Sequence, residues 1–128
     1  MEKEFVPYEQ ALALKELGFD EPCFGYYYSM DNKKVGLEMY IDVQHQDTYF
    51  VQAPLYQQAF RWFRENYKFV GTVLGDGFNG ELKGYYYSIT EEGWINYFES
   101  IEQGKWYDTY EEAELECLKK LIEIVKKM

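Results

Sequence analysis

The chain has 128 residues, close to the commonest length of a single globular domain, so we predict one domain over residues 1–128. Its formal net charge of −10 argues against non-specific binding to DNA, RNA or anionic membranes, because neutralising phosphate takes clustered Lys and Arg. Aromatic residues make up 20% of the chain, with 14 Tyr, which excludes a disordered chain and predicts a folded core with tyrosines at its margins.

The first third of the chain predicts a helix followed by two strands. Apolar residues at helical spacing predict a helix over residues 6–18, with Pro7 in its first turn and Gly18 at its end. Residues 25–30 are rich in β-prone tyrosines, and residues 37–43 alternate between apolar and polar side chains. Both segments therefore predict strands of one antiparallel pair.

The middle of the chain predicts a second helix and a third strand. Residues 44–53 are typical of a loop or a short edge strand, and Pro54 then opens a helix that runs to about Asn66. The helix carries an apolar stripe with Trp62 at its margin, and residues 69–74 predict the third strand.

The last part of the chain predicts a turn, a strand and a long helix. Glycines between residues 75 and 80 indicate a loose turn, residues 84–90 predict a fourth strand, and residues 94–107 fit either a short strand pair or an irregular return. Thr109 and Glu112 have the spacing of a capping box, which starts a helix of roughly 18 residues.

Together these elements predict an α+β fold in the order α-β-β-α-β-β-(β-β)-α. We expect a mainly antiparallel sheet of about four to six strands with three helices packed on one face. The sequence Gly-Tyr-Tyr-Tyr-Ser occurs at residues 25–29 and again at residues 84–88, each time after a helix, which raises the hypothesis of an internal duplication.

Residues with catalytic or metal-binding potential are few. His45 is the only histidine, and a lone imidazole lacks the three or four ligands that a metal site needs. Cys23 and Cys117 are predicted to be buried, reduced thiols, because the chain shows neither a signal peptide nor a disulfide framework. We therefore predict no catalytic residue, no metal and no cofactor. With no apolar run long enough to span a membrane, a cytoplasmic location is expected.

A basic stripe on the second helix is the feature that most suggests a ligand. Arg61, Arg64 and Lys68 have spacings that place them on one helical face, although Arg61 could instead pair with Glu65. Guanidinium groups bind phosphates and stack on aromatic rings, so a flat anionic ligand such as a nucleotide would suit them. The candidate ligand-binding residues are Arg61, Arg64, Trp62, Tyr26, Tyr28, Tyr85 and Tyr87.

The acidic residues are concentrated between Glu91 and Glu116, where nine carboxylates stand against the single Lys105. A surface of this kind suits a basic protein partner or imitates the charge of a nucleic acid. The ordinary alternative is that acidity keeps the protein soluble and that acids at the start of the last helix complement its dipole.

Several stretches resemble a family of small uncharacterised proteins of bacteriophages, prophages and Bacteroidetes-type gut bacteria. The matching stretches are EFVPYE (4–9), LGFDEPC (17–23), APLYQQAFRWFRE (53–65) and YDTYEEAE (107–114). The resemblance reaches both ends and the middle helix. It implies a phage accessory protein acting in a bacterial host cell, and it implies no activity.

Three functions follow from these patterns. The first is a non-enzymatic binding module that sequesters a nucleotide-like ligand or a host protein, for example to counter a host defence. The second is an acidic inhibitor or nucleic-acid mimic that binds a basic host protein. The third is a small hydrolase that uses carboxylates. A homodimer is a further expectation, because pairing of two copies would cover the edges of an open sheet.

Overall fold

The computed structural model describes residues 2–30, 34–39, 50–92 and 97–128. Within these residues the predicted α+β class with three helices is confirmed. Short 3₁₀ turns lie at Glu2–Glu4 and Ile101–Gln103. The elements in chain order are α1 (Tyr8–Glu16), β1 (Gly25–Met30), β2 (Lys34–Met39), β3 (Phe50–Ala53), α2 (Tyr56–Tyr67), β4 (Phe69–Phe78), β5 (Glu81–Glu91), β6 (Phe98–Glu99) and α3 (Tyr110–Lys126).

The chain divides into two compact units, Met1–Ala59 and Phe60–Met128. The described strands form two antiparallel sheets, with the order β2-β1-β3 in the first unit and β4-β5-β6 in the second. The end of the segment 44–53, predicted as a loop or edge strand, forms the edge strand β3. The single domain stays a prediction, as does the duplication.

In the first unit, α1 ends where the sequence predicts. Gly18 has a φ of 105°, a left-handed conformation that favours glycine, and the amide of Phe19 returns to the carbonyl of Leu14 at 2.9 Å. The side chain of Phe19, directly after this closure, is buried. The helix itself is shorter than the predicted 6–18, because Pro7 is the extended N-cap residue rather than part of the first turn.

The face of the first sheet that meets α1 is set by Tyr27 and its neighbours. The ring of Tyr27 contacts Tyr8 of α1 edge-on at 5.6 Å, and its hydroxyl donates to the carbonyl of Val6 at 2.6 Å. Tyr27 pairs across the strands with Val51, which is buried. The second predicted strand, 37–43, is observed as β2 up to Met39, and residues 40–43 lie outside the described part of the chain, as does His45.

In the second unit, β4 and β5 form a long hairpin, and its tight turn replaces the loose turn predicted over residues 75–80. Asn79 and Gly80 have φ values of 54° and 80°, the left-handed pair of a two-residue type I′ turn. The predicted turn residues 75–77 lie within β4 instead. A Cβ at position 77 would stand 2.5 Å from the carbonyl oxygen of Glu81, so this glycine allows the close approach of β5 rather than a turn.

The helix α3 covers one face of this hairpin, as its apolar stripe predicts. Thr109 caps it by accepting the amide hydrogen bond of Glu112 at 3.1 Å, which confirms the predicted start. A Cβ at Gly71 of β4 would lie 2.9 Å from Cys117 Sγ, so the glycine lets helix and strand pack closely. The buried residues of the helix are Ala113, Cys117, Leu118, Leu121, Ile122, Ile124 and Val125.

Among the described residues, none of the helices combines the length and the apolar character needed to cross a bilayer.

Candidate functional site

The predicted basic stripe on α2 is only partly present. Arg61 and Arg64 are exposed on the helix, whereas Lys68 lies beyond its end. Lys68 has a left-handed φ of 64°, and its ammonium lies 3.9 Å from the Glu92 carboxylate. Lys68 therefore lies just beyond the end of α2, and that it shares the face of the two arginines stays a prediction.

Trp62, predicted as a stacking surface for a ligand, belongs to the core. Only 6% of its surface is exposed, and its ring packs edge-on against Phe63 at 5.1 Å and Tyr67 at 5.5 Å. A ligand could reach the indole face only by displacing these neighbours.

Tyr87 is also a core residue rather than a ligand contact. Its side chain is 5% exposed and stacks between Phe98 at 5.7 Å and Tyr107 at 6.1 Å. Burial raises the pKa of the Tyr87 phenol, and the neighbouring Tyr107 adds to the shift. Tyr85 is half-buried, and its ring meets Tyr110 of α3 edge-on at 5.9 Å.

Tyr26 and Tyr28 are better placed to meet a ligand. They lie on the same face of β1, opposite the face of Tyr27, with tilted rings 6.3 Å apart and both half-buried. Tyr28 lies over Gly36 of β2, where a Cβ would come within 2.6 Å of the phenol ring. These two tyrosines belong to the first unit and the arginines to the second, so the convergence of all seven residues on one hollow stays a prediction.

The structure adds a surface residue that the sequence reading missed, Trp106. Its side chain is 49% exposed, and its Nε1 donates a hydrogen bond to Asp76 Oδ2 at 2.5 Å. The backbone is held in place by reciprocal hydrogen bonds between Tyr107 and Tyr85, each 2.8 Å long. A Cβ at Gly84 would lie 3.1 Å from the carbonyl of Tyr107 and 3.8 Å from the Cβ of Trp106, so the glycine lets this segment approach β5 closely.

Asp76 and Tyr86 lie with Trp106 on the face of the hairpin opposite α3. Asp76 pairs with Gly84, and the preceding pair is Gly75 with Tyr85, whose ring contacts α3. Because successive side chains of a strand point to opposite faces, Asp76 and Tyr86 point away from the helix. We call Asp76, Tyr86 and Trp106 the Trp106 surface.

Acidic side chains flank Trp106 along the chain. Glu102, Asp108, Glu111 and Glu112 are exposed, and within the described residues none of them forms an ion pair. Ion pairs among the described residues of the second unit include the carboxylates of Glu81, Glu92, Glu116 and Glu123. The segment therefore combines a half-exposed indole with unneutralised negative charge.

This combination suits the recognition of a cationic side chain. An ammonium or guanidinium group can lie over the face of an indole and be attracted by its ring electrons. The carboxylate of Asp76 keeps further acceptor capacity after taking the indole N–H, because an ionised carboxylate offers about four lone-pair sites. The acidic run is visible in the sequence, but the position of Trp106 is not predicted by it, since the segment 94–107 has no clear periodicity.

The two thiols do not have the properties of a nucleophile. Burial raises the pKa of the Cys117 thiol to about 12, and burial together with the charge of Glu21 raises that of Cys23 to about 12. Such thiols are almost wholly protonated at neutral pH, and the thiolate is the reactive form. Cys117 is buried as predicted, whereas Cys23 is only half-buried. Within the described residues no group of three or more His, Cys, Asp or Glu is arranged to hold a metal ion.

Comparison with known proteins finds no matching family model, no similar curated protein and no similar solved structure.

Proposed function

We propose that this chain is a non-catalytic binding module whose Trp106 surface recognises a basic segment of a protein partner. The observation that carries the proposal is the half-exposed Trp106 indole hydrogen-bonded to Asp76 on the sheet face opposite α3. Aromatic residues are the commonest anchors of protein interfaces, and a charged rim chooses the partner. A cationic side chain of the partner would lie over Trp106 and pair with Asp76.

The charge of the chain supports a basic partner over other classes. A net charge of −10 attracts a basic protein over distances of about a Debye length and repels nucleic acid. Binding should therefore weaken as salt is raised. An inhibitor or nucleic-acid mimic directed at a basic host protein is consistent with this chemistry, and a role in phage infection rests on the resemblance in the sequence alone.

The test is a titration of the full chain with three synthetic peptides of equal length, rich in Arg, Lys or Glu. Tryptophan fluorescence and calorimetry would follow binding. We expect the Arg-rich and Lys-rich peptides to bind and the Glu-rich peptide not to bind. Trp106→Ala and Asp76→Asn should each weaken binding by about tenfold, equivalent to about 1.4 kcal/mol.

The matched control is Phe24→Ala, which removes another exposed aromatic side chain, 70% exposed and in the first unit. This variant should bind basic peptides as the unmodified chain does. The proposal is wrong if the basic peptides do not bind, or if they bind equally well to the Trp106 and Asp76 variants.

A nucleotide-like ligand is the second candidate, and the exposed arginines favour it. Arg61 and Arg64 stand three residues apart on α2, a spacing that lets both reach one phosphate group. Trp62 and Tyr87 lie in the core, so neither of these rings would stack on the base. A panel of mono-, di- and cyclic nucleotides should then raise the melting temperature, and an Arg61→Ala/Arg64→Ala double variant should lose the shift. Absence of any shift rules this candidate out.

A further inference from the structure

Among the described strands, none pairs with the outer edge of β4, which carries a row of backbone N–H and C=O groups. In the sheet order β4-β5-β6, β4 is an edge strand of 10 residues. An edge of this length can pair with another chain, and proteins usually protect such edges with Lys, Pro or a covering element. Residues 69–75 contain no charged residue and no proline.

The hydrogen bonds of β5 show which groups of β4 point outward. Tyr85 exchanges hydrogen bonds with Tyr107, and Tyr87 bonds with Ser100 through both its amide and its carbonyl, so both tyrosines direct their backbone groups away from β4. Their partners in β4, Gly75 and Val73, therefore form non-hydrogen-bonded pairs with β5 and direct their own groups outward.

The same alternation extends to Gly71, which pairs with Ile89. The carbonyl of Ile89 accepts a hydrogen bond from the amide of Tyr97, so it also points away from β4. Gly71, Val73 and Gly75 thus each offer one N–H and one C=O along the outer edge. No backbone hydrogen bond from another described residue reaches these groups. The neighbouring side chains of Thr72 and Leu74 are exposed.

We propose that two copies of the chain pair through β4 in antiparallel orientation, with a twofold axis at Val73. Val73 would then face its own counterpart, and Gly71 would face Gly75 of the second copy. This register brings together outward groups only and allows about six hydrogen bonds. An antiparallel pair of identical strands is self-complementary, which is the requirement for a closed symmetric dimer.

The side chains of β4 fit this register. The pairs next to Val73 place Leu74, which is 37% exposed in the single chain, beside Thr72 of the second copy on the face opposite α3. The paired stretch itself is uncharged, but each chain carries a charge of −10, so the two copies repel each other at low salt. Pairing should therefore strengthen as salt is raised, opposite to the binding of a basic peptide.

The first measurement is sedimentation velocity on the full chain across protein concentration at low and moderate salt. We expect a monomer–dimer equilibrium that shifts toward the dimer at the higher salt concentration. Val73→Pro removes an outward N–H without removing a hydrogen bond to β5, and Val73→Ala is the matched control that keeps this N–H. The proline variant should weaken dimerisation by about tenfold or more, and the alanine variant should remain dimeric.

Amide exchange followed by NMR locates the contact and keeps the test decisive if the proline variant folds poorly. The amides of Gly71, Val73 and Gly75 should exchange slowly only at concentrations that populate the dimer. Those of Thr72 and Leu74, bonded to β5, should exchange slowly throughout. A chain that stays monomeric, or a dimer in which the three edge amides exchange as fast as in the monomer, overturns the proposal.

Discussion

The two units share a five-residue sequence but use its opposite faces. Gly-Tyr-Tyr-Tyr-Ser forms the central strand of both sheets, as β1 in the order β2-β1-β3 and as β5 in the order β4-β5-β6. In the first unit the middle tyrosine, Tyr27, contacts the helix. In the second unit the outer tyrosine Tyr85 contacts the helix, and Tyr87 is buried on the same face.

The neighbouring strands explain the difference. Tyr27 lies between Leu37 of β2 and the buried Val51 of β3, so the apolar side chains of both partners select its face. In β5 the fully buried Ile89 shares a face with Tyr87 and fixes the opposite choice. A tyrosine repeat therefore defines a strand without defining which of its faces is buried, since burial is decided across strands.

The largest expected difference in stability is between truncations of the third tyrosine in the two copies of the five-residue sequence. Tyr87→Ala removes a ring stacked between Phe98 and Tyr107 in the core and should lower the free energy of unfolding by about 3–5 kcal/mol. Tyr28→Ala, at the same position of the other copy, removes a half-buried ring and should cost about 1 kcal/mol. Urea denaturation followed by far-UV circular dichroism measures both values.

Tyr87→Phe is the control for the first of these variants, because it keeps the stacked ring and removes only the hydroxyl. Tyr87→Phe should keep most of the stability that Tyr87→Ala loses. Equal losses for Tyr87→Ala and Tyr28→Ala would contradict the assignment of the two copies to different faces.

Local signals in the sequence predict most of the elements. The left-handed Gly18, the capping Thr109 and the apolar stripe of α3 each act within a few residues, so their consequences can be read without the fold. Asn79-Gly80 is likewise a local turn signal, but the glycines at 75 and 77 extend the predicted turn beyond it. Those glycines serve close approaches to Leu82 and to the backbone of Glu81, contacts that exist only once β5 has paired.

The candidate site depended on long-range contacts and was correspondingly harder to predict. Trp62 sits at the margin of a helical stripe, and its side chain is nevertheless buried in the core. Trp106 lies in a segment without periodicity, and its hydrogen bond to Asp76 joins residues thirty positions apart. Neither arrangement has a local signal.

Alkaline pH should destabilise the second unit through its buried acids. Burial raises the pKa of Cys117 from 9.0 to about 12 and raises the pKa values of Tyr87 and Tyr107 above 10.0. The folded chain therefore keeps protons that the unfolded chain releases, and stability falls as pH rises above 9. One such group contributes at most about 1.4 kcal/mol per pH unit.

Urea denaturation at half-unit steps from pH 8 to pH 11 tests this expectation. Cys117→Ala should reduce the slope between pH 9 and 10, and Tyr87→Phe should reduce it above pH 10. Cys23→Ala is the comparison from the first unit, and it should also reduce the slope between pH 9 and 10, because the pKa of Cys23 is likewise raised to about 12. An unchanged slope in Cys117→Ala would show that this thiol titrates alike in the folded and unfolded chain.

The smallest expected effect compares the middle tyrosines. Tyr27→Phe removes the hydroxyl that donates to the carbonyl of Val6, a fully buried residue, and should cost about 1 kcal/mol. Tyr86→Phe removes a hydroxyl that makes no hydrogen bond to the described residues and should change stability by less than about 0.5 kcal/mol.

The consequence of Tyr27→Phe should also be local. The amide of Val6 donates to the carbonyl of Pro54 at 2.9 Å, so the same residue joins the N-terminal segment both to β1 and to the segment before α2. Weakening one of these links should speed hydrogen exchange at the Val6 amide while the amides of β5 keep their rates. If Tyr86→Phe proves as costly as Tyr27→Phe, the middle tyrosine of the second copy has a buried partner as well, and the opposite use of the two faces no longer holds.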